Sequence, residues 1–147
     1  MQNTSKILIA IDLTDHGRNA FYQGISLATR LGIEAHVLYV SEPLRSFDFS
    51  KKRYVETRDT IEKVEEGVNR RIDELWAAGG LESVDRRKVH LIIRGGKASQ
   101  EILDSAAHHQ PDLIVMGAGA GSAPLGATAE RVVRDATCSV LIVRSEA

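Results

Sequence analysis

Apolar residues along this chain fall into short continuous runs that alternate with longer stretches of helical spacing. Lys6-Ile7-Leu8-Ile9-Ala10-Ile11-Asp12 is an unbroken apolar run closed by an acid, the pattern of a strand buried on both faces. Thr14 or Asp15 can cap a helix after it. Ala20, Phe21, Gly24, Ile25, Ala28 and Leu31 then repeat at helical spacing, and Gly32 stops the helix. Ala35 to Val40 reads as a second strand. Ile61, Val64, Val68, Ile72, Leu75 and Trp76 form the stripe of a long helix that Gly79-Gly80 ends. Val89 to Ile93 is a third strand, and Gly95-Gly96 turns the chain into a shorter helix, Ser99 to His109, with Ile102, Leu103, Ala106 and Ala107 inward. Asp112 to Met116 is the fourth strand, Ala127 to Arg134 a helix, and Val140 to Arg144 the last strand. Ser41 to Thr57, which contains Pro43, lacks a clean period and reads as a long connection.

Strand and helix thus alternate from end to end. That order predicts an α/β fold, one doubly wound parallel sheet with helices on both faces and right-handed crossovers. Such sheets bind ligands beyond the carboxyl ends of the strands, where the strand order reverses. Asp12, Val40 and Gly117 all lie at carboxyl ends of predicted strands and can converge there.

Composition narrows the classes of function. The chain has 147 residues, the size of a single domain over 1–147, and should bury roughly 70% of its unfolded surface without a disulfide or metal staple. Its formal net charge of −1 argues against a nucleic-acid partner, which calls for a basic face. Lys51-Lys52-Arg53 and Arg86-Arg87 read as solvated loop charges. Cys138 is the only cysteine, so no intrachain disulfide forms. No apolar run approaches the ~18 residues of a membrane span, and the amino terminus lacks the pattern of a signal peptide. A cytoplasmic protein without a membrane partner is the expectation.

The candidate chemistry concentrates in Met116-Gly117-Ala118-Gly119-Ala120-Gly121-Ser122, directly after Leu113-Ile114-Val115. Glycine has no Cβ, so successive N–H groups can turn toward an anion, and the helix beginning near Ala127 adds a partial positive charge. A P-loop requires a lysine after its last glycine, and no lysine follows Lys97. A dinucleotide fingerprint belongs after the first strand with different spacing. The remaining readings are a phosphate-facing loop and a ligand-free turn. Asp12 suits ribose hydroxyls or a divalent cation, and equally a capping role. Ser122 lacks the G-x-S-x-G elbow, since Ala120 and Pro124 stand at the glycine positions. His16, His36, His90, His108 and His109 show no helical metal spacing, so no metal site is expected. His108 and His109 suit a helix C-terminus. Phe47 and Phe49 read as an apolar cluster sealing the long connection onto the second helix, and Cys138 as a small buried hydrophobe.

Several segments together resemble the universal stress protein family. They are Ile7-Leu8-Ile9-Ala10-Ile11-Asp12, Gly95-Gly96-Lys97-Ala98, Pro111-Asp112-Leu113-Ile114-Val115-Met116-Gly117, and Ala136-Thr137-Cys138-Ser139-Val140-Leu141-Ile142-Val143-Arg144. They span nearly the whole chain in the family's order. The resemblance implies five parallel strands in the order 3-2-1-4-5 and a homodimer joined through the last strand, at Val140, Leu141, Ile142 and Val143. It also implies that Asp12 meets ribose and the backbone of Val40 meets adenine.

One branch of the family binds ATP through Gly, two residues, Gly, nine residues, Gly and Ser or Thr; another does not bind ATP. Gly117 matches the first glycine, but position 120 is alanine, flanked by Gly119 and Gly121. Gly126 corresponds to the last glycine, followed by Ala127 and then Thr128. Only eight residues separate Gly117 from Gly126, where the pattern places twelve. In length the loop is like the non-binding branch, in glycine content like the binding branch. The candidate nucleotide contacts are Asp12, Thr14 and Val40, then Gly117, Gly119, Gly121 and Ser122, then Gly126 and Thr128. The leading expectation is a non-catalytic stress-response dimer whose cleft holds ATP or AMP without a required metal. The alternatives are an interaction module that binds no nucleotide and a weak nucleotide hydrolase.

Overall fold

A computed structural model describes residues 5–57, 60–120 and 125–145. The elements run in the order β1 (Lys6–Ile11), α1 (Asp15–Leu31), β2 (Glu34–Ser41), β3 (Leu44–Asp48), β4 (Arg53–Thr57), α2 (Ile61–Ala78), β5 (Val89–Gly95), α3 (Ala98–His109), β6 (Leu113–Ala120), α4 (Ala127–Asp135) and β7 (Ser139–Ser145). Five strands form one sheet in the order β5-β2-β1-β6-β7, every pair parallel. Counted within that sheet, the order is 3-2-1-4-5.

Side-chain alternation along the strands divides the interior into two cores. Ile7, Ile9 and Ile11 of β1 point to the face covered by α1 and α2, where they meet Phe21, Ile25, Val68 and Ile72. Leu8 points to the opposite face, with Leu38, Ile114 and Met116 under Ile102 of α3 and Val132 of α4. Because β1 is buried on both sides, its sequence reads as a continuous apolar run. α1 ends where Gly32 takes φ +68°, and the N–H groups there bond the last carbonyls of the helix, the left-handed stop that glycine adopts without strain. The Tyr22 hydroxyl donates to the Leu75 carbonyl at 2.6 Å and ties α1 to α2. Among the described residues no helix is long and apolar enough to cross a membrane.

The connection after β2 departs from expectation. It forms an antiparallel hairpin, β3 with β4, as a separate two-stranded sheet that leaves the five main strands co-directional. Its turn is set by Asp48, whose carboxylate accepts from the Ser50 N–H at 2.9 Å and the Lys51 N–H at 3.2 Å, with Lys52 at φ 51°. The Ser50 hydroxyl bonded to Asp48 holds that carboxyl below its ordinary value. Phe47 and Tyr54 stand directly opposite each other, with ring centroids 5.3 Å apart, and Phe49 packs on Phe47 at 4.9 Å. The aromatic cluster belongs to the hairpin itself, and Phe49 is 84% exposed. It does not seal the segment against α2, which corrects the reading of Phe47 and Phe49. Cross-strand pairing, rather than periodicity, organises these residues.

β6 also runs further than expected, to Ala120. Gly117 still pairs with Val143, and the register with β7 shifts between Gly117 and Ala120. The first half of the glycine run is therefore strand rather than loop. Val140 and Ile142 pack into one core, Leu141 and Val143 into the other. The strand thus presents backbone, not these side chains, along its free edge.

Close packing of α1 on β1 has a measurable effect on stability. A Cβ at Gly24 would sit 2.5 Å from Ile9 Cδ1 and 2.6 Å from Cγ1. Gly24→Ala gains about 1 kcal/mol of helix propensity against an overpacking cost of about 1–3 kcal/mol, so its urea midpoint should fall below that of the parent. An equal or higher midpoint would show that α1 does not press on β1 there. Cys138 packs into the core under α3 and α4, and burial pushes its thiol above the ordinary value. Less thiolate forms at a given pH in the native state, so iodoacetamide at mildly alkaline pH should modify folded protein at least about tenfold more slowly than denatured protein. Equal rates would contradict that burial.

Candidate functional site

The strand order reverses beside β1. Its α1 crossover leads outward to β2, while β6, its other neighbour, is reached from β5 through α3. Connections diverging at this point leave a cleft at the carboxyl tips. Here it is a cavity of about 500 Å³, walled by the end of β1 through Asp12, Gly17 in the first turn of α1, Ala98 and Ile102 of α3, the β6 residues around Gly117, and the start of α4 from Gly126 to Ala129.

Asp12 is held in place from its own loop. Its Oδ1 accepts from the Thr14 N–H at 3.0 Å and from the Thr14 hydroxyl, a side-chain turn that fixes the carboxylate at the tip of β1. Thr14 occupies the N-cap position of α1 but makes no side-chain cap bond; its hydroxyl donates to Asp12. Gly17 lets the helix pass close: a Cβ there would lie 2.6 Å from Asp12 Oδ1 and 2.9 Å from the Asp12 carbonyl oxygen.

The two helix starts at the cleft differ. At α3 the Glu42 carboxylate accepts from the Ala98 N–H at 2.7 Å, so a protein anion already occupies that positive end. At α4 the N-cap is Gly126, with no side-chain cap bond. Its first N–H groups, with the helix dipole behind them, are donors of the kind that suit an anion. A second cavity of about 300 Å³ shares Ala127 and Thr128 with the cleft and is lined by Lys97, Arg131 and Arg134. Arg131 is anchored by Ser99 at 3.1 Å and Gln100 at 2.6 Å, which aims its charge along the α3–α4 boundary.

The structure therefore brings Asp12, Gly117, Gly126 and Thr128 to one cleft. Thr14 adjoins it through Asp12. Val40 lies one step beyond the Ile11–Tyr39 pair, level with Asp12 on the adjoining strand; its side chain packs in the α3 and α4 core, and its backbone lies in register with Arg94 of β5. Gly119 lies in β6 beyond Gly117. Gly121, Ser122 and Pro124 fall outside the described residues. Gly17 and Glu42 went unmarked in the sequence, Lys97 and Ala98 enter through the Gly95-Gly96-Lys97-Ala98 segment of the resemblance, and Arg131 and Arg134 have no site role there. Gly17 in a first helical turn was the one local signal; the others are assembled by tertiary contacts.

The family model described as the universal stress protein family matches residues 3–144. A universal stress protein of Thermus aquaticus is 29% identical over 148 residues, covering 94% of this chain and 97% of its own length. Among solved structures, a universal stress protein in complex with cAMP aligns with a TM-score of 0.68 at 16% identity, over 97% of this chain and 98% of that one. A universal stress protein from Archaeoglobus fulgidus in complex with dAMP aligns with a TM-score of 0.62 at 18% identity, over 97% and 100%. At these identities the structural likeness is one of fold.

Proposed function

Because this chain belongs to the universal stress protein family, we propose that its strand-tip cleft holds an adenine nucleotide and that the protein acts without catalysis. The observation that carries this reading is the meeting of the Asp12 carboxylate, the bare backbone of Gly117 and the side-chain-free start of α4 in one cavity. Asp12 is an acceptor suited to ribose hydroxyls, and the N–H groups after Gly126 are donors suited to phosphate. Lys97, Arg131 and Arg134 lie next to those donors, with Glu130 in the same cavity and Asp135 paired to both arginines, so they add a partly offset positive field for a charged tail. Two fold neighbours are complexes with adenine nucleotides, cAMP in one and dAMP in the other. The shortened glycine segment favours a compact nucleotide such as AMP at least as much as ATP.

A non-catalytic role is supported by how Asp12 is used. Its Oδ1 already takes two donors from Thr14, which suits a fixed acceptor better than a base that must capture a proton. Bound nucleotide then acts by favouring one arrangement of the surrounding loops, which requires different affinities for the two arrangements. The free edge of β7 is the proposed seam of a homodimer, since a second copy of the strand would complete its unpaired backbone groups.

Calorimetric titration with ATP, AMP and cyclic AMP tests the site. At least one should bind, Gly117→Val and Asp12→Ala should each weaken binding about tenfold or more, near 1.4 kcal/mol, and phosphate release from ATP should stay at the buffer level. Silence with all three ligands, or Gly117→Val titrating like the parent, would favour an interaction module that binds no nucleotide. Release above buffer that Asp12→Ala abolishes would favour a hydrolase. For the seam, Leu141→Pro removes a backbone donor from β7 and should both lower stability and reduce dimerisation in light scattering. A fully dimeric variant would exclude β7 as the interface.

A further inference from the structure

His36 of β2 and His90 of β5 are register partners, so their side chains rise together from one face of the sheet. Glu34 lies two residues before His36 and shares that face. Glu34 Oε2 is 3.6 Å from His36 Nε2 and 3.6 Å from His90 Nε2, and the three potential ligand atoms all lie within 4.8 Å of one another. His109, the last residue of α3, covers the group, with its ring centroid 5.2 Å from that of His36. His36 and His90 are themselves 4.9 Å apart. The cluster sits at the amino end of the sheet, where Glu34 pairs with Lys6. The six residues of β1 separate it from Asp12 by roughly 20 Å at about 3.3 Å per residue.

The polar atoms of this cluster are poorly satisfied. Both ring nitrogens of His36 and Nε2 of His109 are buried and have no hydrogen-bond partner among the described residues. Such atoms call for an explanation, and a cation held by Glu34, His36 and His90 would use one of them, a ring nitrogen of His36. An ion held tetrahedrally by ligands at about 2.0–2.1 Å spaces them roughly 3.3–3.4 Å apart, so the 3.6 Å separations from Glu34 need only small side-chain adjustments. Two imidazoles and one carboxylate with an open position suit zinc and its borderline neighbours rather than calcium or magnesium.

We propose that Glu34, His36 and His90 form a binding site for one divalent transition-metal ion, with zinc as the reference ion, at the end of the sheet opposite the nucleotide cleft. The local charges set its pH response. Lys6 on β1, Arg94 on β5 and His108 beside His109 are the surrounding cationic or titrating groups, and Glu34 is the facing anion. Burial first, then His90 and Lys6, hold His36 below its ordinary value of 6.5. Burial with His36 and His108 does the same for His109. Metal and protons compete for the same imidazole lone pairs.

The test uses untagged full-length protein stripped with chelator, titrated with zinc chloride and, separately, cobalt(II). One equivalent of zinc should bind, and cobalt should develop the visible absorption of a four-coordinate site. His90→Ala and Glu34→Gln should each weaken zinc binding by at least about tenfold and abolish the cobalt band. Both residues are partly exposed, with side chains 45% and 36% accessible, so these variants should melt with the parent in chelator. His16→Ala, in the first turn of α1 at the other end of the sheet, should bind like the parent. The assignment is overturned if the parent binds zinc no more tightly than His90→Ala, if cobalt keeps its aqueous spectrum, or if His16→Ala accounts for the binding.

Discussion

Pairing of β1 with both β2 and β6 is the constraint on which the rest of this molecule depends. Each register locks β1 on one side, and its side chains are the midline of two separate cores. Since alternate residues feed opposite cores, a slip of one position would exchange Ile7, Ile9 and Ile11 with Leu8 and Ala10 and ruin both. The start of the strand is clamped as well: the Lys6 N–H donates to the Asp112 carboxylate at 3.1 Å, and the Asp112 N–H donates to the Lys6 carbonyl at 3.0 Å. With the strand fixed at both edges and at its origin, Asp12 has one place to be, the rim where the crossovers diverge.

That rim is electrostatically uneven, and the unevenness would orient the charge of the nucleotide proposed for it. Two helices start there, yet one is already complemented by Glu42. The other begins at a glycine, and basic residues crowd its outer side. A carboxylate tied to Thr14 borders the same space. A molecule with a neutral hydroxyl-bearing end and an anionic end fits this polarity in a single orientation.

Much of this was legible from residue order. Continuous apolar runs marked the strands because parallel strands under two helical layers are buried on both faces, and stripes with a closing glycine marked α1 and α2. The hairpin was illegible for a physical reason: Leu44 to Asp48 and Arg53 to Thr57 are held by pairing with each other and by the Asp48 turn, relations that periodicity does not display. Gly117 to Ala120 looked like a loop because glycine carries no propensity signal for the neighbouring β7 to override. At the cleft, Asp12 and Gly117 stood out as strand-terminal residues. Glu42 and Arg131 did not, since each acts on an element far along the chain. The histidines show this most plainly. His36 and His90 are 54 positions apart and become neighbours only through strand register, a relation that linear spacing does not encode.

Glu42 sits where the chain leaves β2 for the hairpin, and its carboxylate is seated on the head of α3. One side chain thereby tethers a surface excursion to a wall of the cleft. Swinging the hairpin outward would drag that anchor from Ala98 and expose a second positive helix end to the cavity. Through that single contact the exit of β2 and the head of α3 share one attachment, so the hairpin and the pocket wall are not independent parts.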